Sequence, residues 1–428
     1  MILMWIINTN HDFLTREKRQ MKQLIYALIS VFLFFSCDEP EEKENEKPVH
    51  YFSKVFGEFD AEMGYSIHET QDGGFIISGA TSSYWATDSL PKIAMPQHGV
   101  TNAIVVKIDS IGEREWIKTF GGELFESAFN AKETSDGGYF FAGYTNSFGK
   151  GLYDFWLVKL NESGQQTWEK TYGTAKANVG LYGDVTSDGG FILTGYTIPA
   201  EKTDKDVWLL KTNSNGDSLW SVTFDDSMNQ SANYLQETND GGFILVGETR
   251  GQNTNLDILI IKTDADGTML WTNTLIESNS DQAFSIKETG DGFILIGTTT
   301  SLGMGDKDIW LNKLDESGNV VWQKTYGGEA LEYGFDIVPV SDGYVFTGST
   351  SSYGTMFYDL WVIKVDLNGE EVWNQIYGGT MIDIGRSIIK NTSGGFTILG
   401  QTSSYGSGEY DFWIIKTDKN GIVPSNES

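Results

Sequence analysis

From residue 50 to residue 421 the chain is a succession of short apolar or alternating runs punctuated by Gly and Asp. Residues 281–328 show the pattern whole. Ala283 to Thr289 predicts a first strand, and Gly290-Asp291-Gly292 a tight turn. Phe293 to Thr299 predicts a second strand, and the Gly-rich segment Leu302 to Asp306 leads to a third, Asp308 to Leu314. Glu316-Ser317-Gly318 then turns the chain into a fourth, Asn319 to Tyr326. β-Branched and aromatic residues fill the runs and turn formers separate them, as short antiparallel strands require.

The unit recurs. Trp stands at 116, 168, 220, 271, 322 and 373, always 51 or 52 residues apart. A Lys column runs through Lys107, Lys159, Lys211, Lys262, Lys313, Lys364 and Lys416. An Asp-Gly turn sits at Asp72, Asp136, Asp188, Asp240, Asp291 and Asp342, with Ser393-Gly394-Gly395 in the seventh copy. Four short strands per repeat of roughly 50 residues is the pattern of a propeller blade. The seventh unit ends at Gly421 without its Trp strand, and Phe52-Ser-Lys-Val-Phe-Gly57 aligns with Trp116-Ile-Lys-Thr-Phe-Gly121 to supply it. Such a strand removes the open edge of a linear array. The expected fold is all-β: a seven-bladed β-propeller of four-stranded antiparallel blades, closed by the N-terminal strand. The Trp strand is then outermost, and the strand before each Asp-Gly turn innermost.

The phrases Lys313-Leu-Asp-Glu-Ser-Gly318-Asn-Val-Val-Trp322 and Lys159-Leu-Asn-Glu-Ser-Gly164-Gln-Gln-Thr-Trp168 resemble the repeat of the quinoprotein-like (PQQ-like) propellers. The array over residues 51–421 also resembles a class of bacterial surface lipoproteins with Asp-Gly-Gly and Thr-Tyr-Gly-Gly repeats, mostly of unknown function. The resemblance implies that the Trp column docks neighbouring blades. It carries over no quinone-binding residue, because Cys37 is the only cysteine and vicinal cysteines are absent. No cofactor is expected.

The N-terminal region tells of location. Residues 21–37, MKQLIYALISVFLFFSC, have a positive start, an apolar run too short to span a bilayer, and a small residue before Cys37. FFSC resembles a bacterial lipobox, with Phe34 departing from the usual Leu, which implies lipidation of Cys37. Residues 1–20 then read as an upstream extension, 38–49 as an acidic flexible tether, 50–421 as the propeller and 422–428 as a tail. The expected location is the outer membrane or cell surface, with the membrane met through the lipid alone. A formal net charge of −29, from 59 acidic and 30 basic residues, disfavours nucleic acid as a partner.

Chemistry-bearing positions are few. The chain has 4 histidines, no zinc-like spacing, no GxSxG and no P-loop. One further column, Glu62, Glu126, Asn178, Gln230, Asp281, Glu332 and Asp383, stands eight residues before the end of each innermost strand. It is expected near the mouth of the central channel, where carboxylates bind a polar or cationic ligand, or else satisfy the N–H groups of adjacent turns. A second column, Asp154, Asp206, Asp257, Asp308, Asp359 and Asp411, with Asn102 in blade one, is expected to close loops, to accept backbone hydrogen bonds, or to pair with the Lys column between blades. Blade one also carries an insert between its second and third strands. Tyr84, Trp85 and His98 in that insert are candidate recognition residues for a glycan or peptide, against the alternative that Trp85 packs onto the rim.

These readings favour a non-catalytic, monomeric binding or scaffold propeller of the cell envelope, with a protein or polysaccharide partner on the face bearing the long loop. The rival is a glycoside hydrolase using two carboxylates of the ring, about 5–5.5 Å apart for retention or about 6.5–9.5 Å for inversion. No metal site is expected.

Overall fold

The computed structural model describes residues 49–57, 60–82, 100–225, 228–250 and 255–424. Strand β1 (Phe52–Phe56) opens the chain. Blade one holds β2 (Glu62–Glu69), β3 (Phe75–Thr81), β4 (Asn102–Ile108) and β5 (Arg114–Phe120). Blade two holds β6 (Glu126–Glu133), β7 (Tyr139–Thr145), β8 (Asp154–Leu160) and β9 (Gln166–Tyr172). Blade three holds β10 (Asn178–Val185), β11 (Phe191–Thr197), β12 (Asp206–Thr212) and β13 (Ser218–Phe224). Blade four holds β14 (Asn229–Glu237), β15 (Phe243–Arg250), β16 (Leu256–Thr263) and β17 (Met269–Leu275). Blade five holds β18 (Asp281–Thr289), β19 (Gly292–Thr299), β20 (Asp308–Leu314) and β21 (Val320–Tyr326). Blade six holds β22 (Glu332–Val340), β23 (Gly343–Thr350), β24 (Asp359–Val365) and β25 (Glu371–Tyr377). Blade seven holds β26 (Asp383–Lys390), β27 (Phe396–Thr402) and β28 (Asp411–Thr417).

All seven sheets are four-stranded, and the seventh has the order β1-β28-β27-β26. Phe52 pairs with Lys416 and Phe56 with Phe412, so the first strand completes the last blade. The ring is closed as the repeat register requires.

Seven equivalent contacts join the blades. Trp271 of blade four meets Phe293 of blade five with ring centroids 6.1 Å apart, and Phe52 meets Phe75 in the same way at 6.4 Å. The ring of Trp271 also covers Gly318 in the turn between β20 and β21. A Cβ there would lie 2.5 Å from the indole, and the backbone has φ +80°, so only glycine fits. The Trp column is therefore the seam between neighbours. The Lys column has a different partner from the one expected. Six of the seven reach the Asp-Gly turn of their own blade, as in Lys211 to Asp188 at 2.8 Å and Lys262 to Asp240 at 2.8 Å, rather than crossing to another blade. The seventh turn has Ser393 in place of Asp, and Lys416 makes other contacts. Its ammonium lies 5.2 Å from the centroid of the Phe75 ring and donates to the Ser110 carbonyl.

Candidate functional site

The acidic column does not line the channel. Glu62, Glu126, Asp281, Glu332 and Asp383 are each 0% exposed and lie inside the seams between blades. Glu126 Oε1 accepts the Thr145 hydroxyl at 3.0 Å and the Ser147 N–H at 2.9 Å, and its Oε2 accepts the Gly122 N–H at 3.0 Å. Glu332 repeats the set with Thr350, Ser352 and Gly328. The carboxylates thus fasten the loop after the second strand to the innermost strand. This corrects the expected ring at the channel mouth and matches the alternative, in which the carboxylates satisfy N–H groups of adjacent turns.

Each member also faces the Asp column of the preceding blade. A Cβ at Gly327 would sit 2.0 Å from Asp308 Oδ1 and 2.4 Å from Glu332 Oε2, so the two carboxyl groups meet over that glycine. Between blades two and three the same place holds Asp154 and Asn178, and the Asn178 amide donates to Asp154 Oδ1 at 3.5 Å. Asn102 faces Glu126 between blades one and two. Asp257, Asp359, Asp383 and Asp411 each keep a buried Oδ1 without a hydrogen-bond partner, and so does Asp206, whose counterpart in the next blade is Gln230. Burial raises the Asp308 carboxyl above its ordinary value, with Glu332 adding to the rise, and burial and Asp281 raise Asp257 likewise.

The channel itself is built by a feature that strand alternation does not reveal. Every innermost strand carries a β-bulge three residues after the acidic or amide position, as between Gly64 and Ser66 or between Gly385 and Ser387. A bulge inserts an unpaired residue and re-aims its side chain. Here it turns Tyr65, Phe129, Phe284, Phe335 and Arg386 into a central cavity of about 310 Å³. Two ion pairs cross the cavity wall, Lys132 to Asp184 at 3.2 Å and Lys287 to Asp336 at 3.4 Å. Asp336 also accepts the Ser285 and Ser387 hydroxyls, so it ties three blades together. His68 bonds Asn130 at 2.8 Å, and burial, helped by Lys132, lowers its pKa to about 4, so it is neutral at pH 7.

The loop face, where second strands end and third strands begin, has a different character. Its loops are held rigidly. Asp308 Oδ2 accepts the Gly305 N–H at 3.1 Å, and Tyr353 and Tyr405 donate to the Gly327 and Gly378 carbonyls at 3.1 and 2.9 Å. Yet the loops present large apolar side chains to solvent. Met356 is 89% exposed, Met304 77% and Leu152 66%, and Phe148, Phe357 and Met381 join them. Tyr84, Trp85 and His98, expected on this face, lie outside the described residues, as does Cys37. Among the described residues no group of three or more His, Cys, Asp or Glu side chains could hold a metal ion, and no helix is long and apolar enough to cross a membrane.

No family model matches the chain, and no curated protein matches it. Among solved structures, Sqt1 from Chaetomium thermophilum is 11% identical with a TM-score of 0.46, covering 87% of this chain and 99% of that one. BBS1N in complex with ARL6DN is 9% identical with a TM-score of 0.48, covering 89% and 97%. The β-propeller domain of the Trilobed protease from Pyrococcus furiosus, described as having an open velcro topology, is 10% identical with a TM-score of 0.47, covering 84% and 94%. The assignment of this chain as a β-propeller rests on its own strand order and register.

Proposed function

We propose that the chain is a non-catalytic binding or scaffold propeller of the cell envelope, anchored by lipid on Cys37, that engages a protein or polysaccharide partner through its loop face. The observation that supports this most is the set of exposed methionines and aromatics on that face, carried by loops whose backbones are pinned to buried carboxylates. Large apolar side chains held exposed on one face suit an interaction site, and methionine and aromatic side chains are favoured there. Pinned loops also lose little conformational freedom on binding. Propellers commonly serve as binding platforms, and the seams consume the carboxylates that hydrolysis would need. The bacterial surface lipoproteins that the repeats resemble are a consistent setting for such a role.

The test combines a glycan array with affinity capture, on protein lacking residues 1–37. Wild type and a variant carrying Met304→Ser, Met356→Ser and Phe357→Ser are compared. A captured partner or glycan that the variant loses, with melting unchanged, supports the reading; equal capture by both removes the loop face from it. The anchor is tested separately. Cys37→Ala should abolish incorporation of labelled fatty acid and release the protein from the membrane fraction, and unchanged labelling would end the lipoprotein assignment.

A further inference from the structure

Lys287 and Arg386 line the central channel, and Lys132 lies within electrostatic reach of His68 on its wall. The two lysines are neutralised by Asp184 and Asp336. Arg386 has no ion pair among the described residues, and its Nε is buried without a hydrogen-bond partner. Its guanidinium lies 4.3 Å from the centroid of the Phe335 ring, with the Tyr65 and Tyr410 hydroxyls within electrostatic reach. A guanidinium holds its proton at any pH the protein meets, so the channel wall carries an uncompensated positive charge. This stands out in a chain of formal net charge −29, whose exterior field attracts cations rather than anions.

An unpaired buried donor is costly unless a ligand completes it. The guanidinium presents a planar fork that matches a carboxylate bidentately. Tyr65, Phe129, Phe284 and Phe335 line the same cavity with aromatic rings, against which the C–H face of a sugar ring packs. Asn130 and Asn233 also line the cavity, their amide nitrogens held by the Gly183 and Ala283 carbonyls. The volume, about 310 Å³, is at the lower end of the range for small-ligand pockets and suits a single ring rather than a chain. We infer that the channel is a binding site for one carboxylate-bearing sugar unit, a hexuronate, with Arg386 holding the carboxylate and the bulged aromatics covering the ring. The inference is independent of the loop-face reading, because the two surfaces share none of the residues tested.

The test is titration calorimetry of the purified full chain with D-glucuronate, D-glucose and acetate at constant ionic strength. Glucuronate should bind at least tenfold more tightly than either of the others. Arg386→Met should weaken glucuronate at least tenfold while leaving the weak glucose signal unchanged. If Arg386→Met does not fold, Arg386→Lys keeps the charge without the fork and should also weaken glucuronate. Absence of glucuronate binding, equal affinity for glucose, acetate matching glucuronate, or full affinity in a folded Arg386 variant would each overturn the assignment.

Discussion

Replacing Asp308 by Asn probes the seam chemistry directly. Asp308 and Glu332 are 1% and 0% exposed and meet over Gly327 without an amide between them. Burial first, and then Glu332, raise the Asp308 carboxyl above the ordinary aspartate value. A raised folded-state pKa means the folded protein holds a proton that the unfolded chain has released. The pair's contribution is therefore complete below about pH 4 and is lost as pH climbs through the raised value. Asp308→Asn keeps an oxygen for the Gly305 N–H and places an amide beside Glu332, the pairing that Asn102 and Glu126 already make between blades one and two. Replacing the like-charge contact by an amide–carboxylate contact is worth about 1–3 kcal/mol at neutral pH. With an unfolding entropy of about 2.1 cal/mol/K per residue over about 370 residues, a single transition gains roughly 1–4 °C. Differential scanning calorimetry from pH 3 to pH 9 should show the variant above wild type at pH 8 and the advantage vanishing toward pH 3. Asp240→Asn is the opposing control. Against burial, which would raise it, bonds from Lys262, Thr238 and the Gly242 N–H hold that carboxyl down to about 2, so its contribution is present at neutral pH and lost as pH falls through that value. The control should melt below wild type at pH 7 and match it near pH 2. An Asp308→Asn variant less stable than wild type at pH 8 would refute the shared-proton account of the seam.

Three other outcomes are expected. Asn312 is 0% exposed with both amide atoms unpartnered, where the other blades carry Val106, Val158, Leu210, Ile261, Ile363 and Ile415; Asn312→Leu should stabilise by about 1–3 kcal/mol in denaturant titration, and a loss would mean the amide has an unseen partner. Phe52→Ala removes the closing contact with Phe75 and Gly112, at a cost of about 3–5 kcal/mol by calorimetry; an unchanged melting temperature would contradict closure by the first strand. Lys416→Met, in the blade whose turn has Ser393 in place of Asp, should cost less stability than Lys262→Met, which strands Asp240; equal losses in parallel melts would show that the turn ion pair contributes nothing.

The architecture was readable because a repeat samples one structure seven times. The strands expected in blade five end at Thr289, Thr299, Leu314 and Tyr326, where the structure ends β18 to β21. The closing role of Phe52 followed from its alignment with Trp116. The placement of the acidic column did not follow, for a geometric reason. Strand alternation assigns alternate residues to one face, but the bulge after Gly64 turns both Tyr65 and Ser66 toward the channel, while Glu62 at the strand entry points into the seam. A signal was present in the small-then-aromatic pairs Gly64-Tyr65, Ala128-Phe129, Ala283-Phe284 and Gly334-Phe335, which mark where a bulged side chain leaves the sheet. Arg386 interrupts that column and becomes conspicuous only once the column is recognised. The exposed methionines of the loop face carry no sequence signal, because a single apolar residue in a loop is unremarkable; only their exposure in the fold sets them apart.

The central claim is that the loop face is where this propeller meets its partner. Its most direct measurement is the footprint of a bound partner by hydrogen exchange, once glycan-array or affinity capture has supplied one. Protection should concentrate in residues 146–153, 300–307, 351–358 and 403–410, which carry Leu152, Met304, Met356 and Tyr405. Protection confined instead to the Asp-Gly turns on the opposite face, or to the outer Trp strands, would contradict the account.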